Sequence, residues 1–281
     1  MTALLALSAA LIIGAVDFGG GLASRQVSPV RVTAWIYVAG FALLLVLVWF
    51  VDAPLVTTTD TVAGVVIGTS GALSFIVFYF ALTLGPISLL APLTAIIGVI
   101  VPTIAGLTRG ETLGPVQIGG IAAALVAMAL VAQDRASAGA DASATWAGIV
   151  LATIAGFGFS VFFLALAETS VEAGLWPLVI GRSVAVPMLV VLALTVTGGL
   201  AIPAGAIRKI VAASGAAGVV SSIFILWAYQ RGPISLVAAL GAFYPFSTVA
   251  LARIVLDERL RRVQWIGVAF ALAAMPMIAI K

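Results

Sequence analysis

The stretch Gly85-Pro86-Ile87-Ser88-Leu89 occurs a second time 147 residues further along the chain, at 232–236. Sliding residues 85–132 over 232–279 without a gap gives 20 identities in 48 positions. The same register extends upstream more weakly. The pattern indicates an internal duplication of about half of the chain. In a membrane protein, two copies of one unit predict a site at their interface that is reached from each side in turn.

The composition excludes an ordinary soluble domain. Of the 281 residues, 63% are hydrophobic and only 8% are charged, whereas soluble domains carry roughly 25% charged residues. The absence of Cys and His excludes disulfides, thiolate nucleophiles and the commonest metal ligand. The formal net charge of +3 is too small to predict nucleic-acid binding. We therefore expect an integral membrane protein surrounded by lipid, with no cofactor, no metal and no nucleic-acid partner.

The sequence divides into ten apolar segments of the length that a membrane span needs, about 20 residues. One short stretch, 134–145, is rich in charged and small polar residues and is predicted to be a linker. It separates a first unit, 1–133, from a second unit, 146–281. The ten predicted spans run approximately over 3–23, 31–51, 62–83, 87–107, 115–133, 146–167, 174–197, 210–230, 234–255 and 263–280.

Five spans per unit is an odd number, so the second unit enters the membrane with the opposite orientation to the first. The predicted fold class is therefore all-α: ten transmembrane helices arranged as two inverted five-helix repeats around a central cavity. Loops on the side of the termini carry three Lys or Arg residues, and loops on the other side carry eight. Because basic loops tend to stay in the cytoplasm, this bias places the termini outside it.

The repeated unit resembles the EamA unit of the drug/metabolite transporter superfamily. An aromatic stretch, the Gly-Pro-Ile-Ser turn, a proline-bearing span and an acidic turn carry the resemblance, in the same order in both halves. In the first unit these are Tyr79-Phe80-Ala81-Leu82, 85–88, Pro92, Pro102, Gly110-Glu111-Thr112-Leu113, Gln117 and Gly120. In the second they are Trp227-Ala228-Tyr229, 232–235, Pro245, Asp257-Glu258-Arg259-Leu260, Gln264 and Gly267.

The resemblance covers nearly the whole chain, although the first two spans of the two units match each other poorly. It implies a ten-helix carrier of the inner (cytoplasmic) membrane that exports amino acids or related small metabolites, with a central cavity between the halves. Members of this superfamily also carry drugs, sugar phosphates and nucleotide sugars. Members of this size usually keep both termini in the cytoplasm, which disagrees with the charge bias of this chain.

Two charged residues inside predicted spans are candidate substrate-binding groups. Asp17 lies deep in the first span, where a carboxylate usually faces the bundle interior with a partner. It is a candidate to bind a substrate ammonium or to take up a proton; the alternative is a polar group beside a helix break at Gly19-Gly20-Gly21. Arg182 is a candidate to bind a substrate carboxylate or to pair with Asp17. Its alternative is a long side chain that snorkels to the headgroups.

Three aromatic residues in the spans beside the repeated turn are further candidates. Tyr79, Trp227 and Tyr244 are proposed from sequence to bind substrate, because aromatic faces and hydroxyls in an apolar cavity suit amino acids or lipophilic cations. The alternative for each is contact with lipid.

Prolines mark the spans that follow the repeated turn. Pro92 and Pro102 lie in the fourth span, and Pro245 lies in the ninth. Proline removes a backbone hydrogen bond and kinks a helix, and irregular backbone at membrane depth is tolerated where protein or a cavity surrounds it. These three residues are therefore candidate hinge or cavity-lining positions, with an inert kink as the alternative.

Glu111 and Glu258 occupy equivalent positions in the two units, shortly before helices predicted to begin near Pro115 and Val263. A carboxylate near a helix N-terminus offsets the positive end of the helix dipole. A structural role is therefore expected for both.

The sequence carries no catalytic pattern and predicts no enzyme. The leading prediction is a secondary transporter that exports amino acids or related metabolites by alternating access. One alternative is an exporter of lipophilic cations or drugs that exchanges them for protons at Asp17. An alternative of another class is a structural membrane protein without transport. The expected partners are a small-molecule substrate, the bilayer and, in the first alternative, protons.

Overall fold

The computed structural model describes residues 1–131, 145–256 and 262–279, and every regular element in these ranges is a helix. The predicted linker, 134–145, lies outside them except for its last residue, and the acidic turn with Glu258 lies outside them altogether. The helices are α1 (Thr2–Ser24), α2 (Pro29–Leu47), α3 (Thr58–Thr83), α4 (Ile87–Thr108), α5 (Pro115–Val131), α6 (Trp146–Ala167), α7 (Trp176–Thr197), α8 (Ala206–Arg231), α9 (Ile234–Gly241), α10 (Tyr244–Leu256) and α11 (Arg262–Ala279).

Eight segments of the described chain are long and apolar enough to cross a membrane. Two further apolar helices, α5 and α11, are shorter. Together they correspond to the ten spans predicted from the sequence, and α6 has the predicted bounds. The chain is thus an all-helical, multi-pass membrane protein.

The ninth predicted span is broken rather than kinked. Helix α9 ends at Gly241, and α10 begins at Tyr244. The Phe243 N–H donates to the Leu240 carbonyl at 3.3 Å, a tight turn that ends α9. Pro245 occupies the first turn of α10, where proline is tolerated because its missing N–H would have no partner inside the helix. The predicted kink at this proline is therefore wrong, since the break precedes it.

Helix pairs that pack across the two halves have counterparts: replacing each helix by its equivalent in the other half gives either the same pair or another pair that is in contact. Helix α1 packs against α8, and α6 packs against α3. Likewise α2 packs against α8, and α7 packs against α3. Across the two halves, α5 packs against α11 and α4 against α9. Each half therefore supplies the same kind of contact to the other.

Two close glycine contacts follow this exchange. Gly68 on α3 lies against Gly181 on α7, where a Cβ at Gly181 would be 3.1 Å from the Gly68 nitrogen. Gly215, the repeat equivalent of Gly68, lies against Gly40 on α2, where a Cβ at Gly40 would be 2.8 Å from the Gly215 carbonyl. Small residues at such positions allow membrane helices to approach closely.

The loops on the side of the termini are tied together by a buried carboxylate. Asp60 is fully buried and forms a capping box with Thr57 at the start of α3. It also accepts a hydrogen bond from the Ser170 N–H at 2.7 Å, in the α6–α7 loop. Gln230 at the end of α8 donates to the Ser170 carbonyl at 2.6 Å. Three helices are thereby held at one end of the bundle.

Glu111 binds a helix N-terminus, but of a different helix from the predicted one. Its carboxylate accepts from the Ile234 N–H at 2.5 Å and from the Ser235 N–H at 3.0 Å, at the start of α9. The Ser235 hydroxyl donates to it as well, at 2.6 Å. Sequence proximity to Pro115 favoured α5, whereas tertiary folding brings this loop onto the second Gly-Pro-Ile-Ser turn.

Candidate functional site

A cavity of about 70 Å³ lies inside the bundle, lined by α1, α3, α4, α6, α8 and the α9–α10 break. At roughly 10–15 Å³ per water on this measure, it holds several waters or a small organic group. Its wall is mostly apolar. The polar side chains on it are Asp17, Thr94, Ser221, Ser222 and Tyr244.

Equivalent positions of the two units meet at this cavity. Three pairs of lining residues are each 147 positions apart, the offset of the repeated motif. The wall therefore follows the duplication on α3 and α8, and again on α4 and the α9–α10 break. The pairs are Phe75 with Ser222, Thr94 with Gly241, and Ala95 with Ala242.

Asp17 faces the cavity from α1 and is only 3% exposed. Its Oδ1 has no hydrogen-bond partner in the described part of the chain. Helix α1 continues past this residue to Ser24, so the alternative of a helix break at the three glycines is wrong. The glycines serve close packing instead: a Cβ at Gly19 would lie 2.7 Å from the Ser214 hydroxyl, and one at Gly21 would lie 2.9 Å from the Leu82 side chain.

Two predicted tyrosines surround this carboxylate. Tyr79 is fully buried, its hydroxyl lacks a partner among the described residues, and its ring occupies the space that a Cβ at Gly20 would fill. Tyr244 lines the cavity, and its hydroxyl makes only a long hydrogen bond of 3.5 Å to the Ala91 carbonyl. The site thus holds polar groups whose hydrogen-bonding capacity is largely unused.

Arg182 lines a second cavity of about 30 Å³ beside the first. Its guanidinium carbon lies 3.9 Å from the centre of the Tyr37 ring, a close cation–π contact. Its Nη1 is buried and has no hydrogen-bond partner in the described ranges, so the side chain does not snorkel to the headgroups. Asp17 and Arg182, both in the described part, form no ion pair, and the predicted pairing is wrong in this structure.

Comparison with known protein families finds a similarity to a family of membrane transporters. The model of the EamA-like transporter family matches residues 1–133. The first part of the chain is therefore similar to EamA-like transporters. The predicted resemblance is confirmed, since this family is part of the drug/metabolite transporter superfamily. EamA-like proteins are membrane transporters of small molecules, not enzymes.

Solved structures show the same fold over the whole chain. One of them, described only as the crystal structure of a protein, superposes with a TM-score of 0.69 at 20% sequence identity. The superposition covers 96% of this chain and 95% of that chain. None of the curated proteins compared with the chain matches it significantly.

The sequence analysis missed the aromatic wall that α6 presents to the cavity. Phe159, Phe162 and Phe163 all line the main cavity. Their spacing of three and four residues places them on one face of a helix, and this signal is present in the sequence. Phe159 packs edge-on against Phe75, with ring centroids 4.8 Å apart. Tyr37, the partner of Arg182, was also missed.

Four other predicted residues lie off the cavity wall. Trp227 is partly buried against the core, 5.8 Å from the Arg231 guanidinium, and lines neither cavity. On α4 the wall consists of Thr94, Ala95 and Gly98. The three candidate prolines, Pro92, Pro102 and Pro245, flank the wall, and a hinge role for them stays a prediction. Within the described ranges no group of three His, Cys, Asp or Glu residues is close enough to hold a metal ion.

Proposed function

We propose that this chain is a secondary transporter of the inner (cytoplasmic) membrane that exports amino acids or related small metabolites by alternating access. Its ten helical spans form two inverted five-helix repeats, with units at 1–133 and 146–281 and a linker between them. The substrate binds across the two neighbouring cavities, where Asp17 in the larger one receives its ammonium group and Arg182 in the smaller one receives its carboxylate.

The helix contacts support the inverted repeat. Each packing pair described above becomes itself or another observed pair when the first and second halves are exchanged. The repeat-equivalent Gly68 and Gly215 each lie against a glycine of the other half, Gly181 and Gly40. The cavity wall follows the same exchange. Alternating access then requires only that the two halves rock against each other around one site.

The substrate proposal rests on one observation: a buried atom of each of the two charged residues lacks a hydrogen-bond partner in the described part of the chain. These atoms are Asp17 Oδ1 and Arg182 Nη1. A buried charge without a partner is costly, and in membrane spans such residues mark substrate pathways. A zwitterion supplies a charge of the correct sign to each of them. The phenylalanines on α3 and α6 suit an apolar side chain.

Exchange in liposomes tests this proposal. Purified protein is reconstituted with an unlabelled amino acid inside, and entry of the same labelled amino acid is measured with and without a pH gradient. We expect saturable exchange of at least one zwitterionic amino acid. Protein that exchanges none of the common amino acids, under conditions in which it stays folded, contradicts the proposal and favours a structural role.

A second candidate is a proton-coupled exporter of lipophilic cations. It is favoured by one observation: the larger cavity combines a carboxylate with four phenylalanines, while Arg182 lies in the smaller one. Arg182→Gln separates the two candidates. It should weaken exchange of zwitterions and spare exchange of an organic cation, whereas Arg109→Gln, about half-exposed in an ion pair with Glu168, should affect neither. An inward proton gradient should drive cation export only if the second candidate is correct.

The orientation of the termini is tested separately. The charge bias places them outside the cytoplasm, whereas the family resemblance places them inside. A C-terminal reporter that is active only in the cytoplasm should be inactive if the charge bias decides the topology.

A further inference from the structure

Three side chains border both cavities: Phe75 on α3, Phe162 on α6 and Ser222 on α8. They therefore lie between the chamber that contains Asp17 and the chamber that contains Arg182. Two of the three are bulky and apolar. The division between the two chambers is mainly aromatic.

Phe75 occupies the centre of this division. Its ring packs edge-on against Tyr37 with centroids 6.1 Å apart, and it packs at a tilt against Tyr79 with centroids 5.7 Å apart. Tyr37 is the ring beneath Arg182, and the Tyr79 ring lies against Gly20, three residues after Asp17 on α1. A phenyl ring offers no hydrogen bond to either charged group. Its position accounts for the absence of an ion pair between Asp17 and Arg182.

Phe75 also differs from its repeat equivalent. The residue 147 positions further on is Ser222, whose hydroxyl donates to the Gly218 carbonyl of its own helix at 2.7 Å. One half thus presents a ring at this position, and the other presents a small side chain already satisfied within its helix. Phe75 is only partly buried, unlike the fully buried Phe78 one turn away.

We propose that Phe75 is a specificity-determining residue whose ring separates the carboxylate chamber from the guanidinium chamber. A zwitterionic substrate reaches both charges only when this ring turns aside. The size of the substrate is set by how far the ring moves, and the small Ser222 opposite leaves the space for it. This inference rests on the proposed function for the nature of the substrate, but the separation of the chambers does not depend on it.

Substitutions at Phe75 and at its repeat equivalent Ser222 should have opposite effects. Phe75→Ser should open the passage between the chambers, and Ser222→Phe should close it further. Phe80→Ser is the matched control, because Phe80 lies on the same helix but is 39% exposed on its outer face. Should Phe75→Ser not fold, Phe75→Leu removes the planar ring while keeping an apolar side chain.

The first test measures access to the Arg182 chamber without any transport. Since the sequence contains no Cys, the variant Ile67→Cys places a single thiol on the wall of that chamber. The rate at which a small methanethiosulfonate modifies this thiol is compared in four proteins: Ile67→Cys alone and Ile67→Cys combined with Phe75→Ser, Ser222→Phe or Phe80→Ser. If the open ring position is populated to about 10% or less, Phe75→Ser should speed modification about 10-fold or more. Ser222→Phe should slow it, and Phe80→Ser should leave it unchanged. Equal rates with Phe75 and with Ser or Leu overturn the proposal.

The second test uses exchange of labelled L-tryptophan and L-alanine in liposomes. Phe75→Ser should raise the ratio of tryptophan to alanine exchange, and Ser222→Phe should lower it. If the unsubstituted protein exchanges neither amino acid nor any other zwitterion, the proposed function fails, while the thiol rates still decide whether Phe75 divides the chambers. Exchange of both amino acids with a ratio unaffected by either substitution overturns the role in specificity.

Discussion

Helices α1 and α6 are the first helices of the two units, yet they give the cavity different walls. Each packs on the third helix of the other half, α8 or α3. From α1 come aliphatic residues and Asp17, whose Oδ1 has no partner among the described residues; from α6 come three phenylalanines. The two helices make equivalent packing contacts, but the side chains that they present to the cavity are chemically different.

This difference shows where function lies in a duplicated fold. The spans that match well between the units, from the Gly-Pro-Ile-Ser turn onward, supply repeat-equivalent wall positions with few functional groups. The spans that match poorly supply Asp17, Tyr37, Arg182 and the phenylalanines of α6. The duplicated spans form the scaffold, and the first two spans of each unit contribute both charged residues of the cavity walls and the phenylalanines of α6.

The largest effect is expected from removing the charge on α1. Asp17→Asn keeps the shape of the side chain but deprives a substrate ammonium of its counter-charge. Loss of a buried charged partner costs about 2–5 kcal/mol of binding free energy, or at least about 30-fold in KM. Exchange in liposomes measures it. Wild-type KM values at every pH would show that Asp17 has no part in binding.

A smaller effect is expected on stability, and it should differ between a glycine substitution on α1 and one on α6. A Cβ at Gly14 on α1 would collide with the backbone carbonyl of Tyr244, whereas one at Gly158 on α6 would meet only the Ser74 hydroxyl. A carbonyl in a packed helix cannot turn away, so Gly14→Ala should destabilise the protein by about 1–3 kcal/mol. Gly158→Ala should cost clearly less. Thermal unfolding in detergent compares the two, and equal melting temperatures would contradict the packing described for α1.

On the aromatic wall, Phe159→Leu should change affinity without abolishing transport. It removes the edge-on pair with Phe75, worth about 0.5–1.5 kcal/mol beyond the buried area. The matched control is Phe157→Leu, because Phe157 lies on the same helix and is 54% exposed. KM for an aromatic substrate should rise a few-fold in the first variant only. A similar rise in both would point to a general effect on α6.

The smallest effect concerns how α1 is held. The Ser221 hydroxyl donates to the Ala9 carbonyl at 2.9 Å, from α8 to α1. Hydrogen bonds between membrane helices average about 0.6 kcal/mol, so Ser221→Ala should lower the free energy of unfolding by about that amount. Ser222→Ala, which loses only a bond within its own helix, should have less effect on unfolding. A larger loss for Ser222 would reverse this assignment.

Much of the candidate site was predictable from residues that stand out in an apolar chain. Asp17 and Arg182 are conspicuous because charges inside spans are rare, and Tyr244 follows from its position after the repeated turn. Trp227 lines neither cavity, because a helix has several faces, and sequence position near a predicted cavity does not say which face points inward. The α6 phenylalanines have helical spacing, but the same spacing is typical of residues that face lipid.

The sequence by itself determined the helical membrane fold and its division into ten apolar segments, because lipid accepts only helices or closed barrels and a duplication persists in the order of residues. Tertiary structure alone decided which charges lack partners, which helix Glu111 binds, and that the ninth span breaks at Gly241 rather than bending at Pro245. The first two depend on contacts between residues more than a hundred positions apart, which local sequence does not encode. The repeated Gly-Pro-Ile-Ser-Leu motif indicates two equivalent units. Only their packing shows that the two units line the cavity with different side chains.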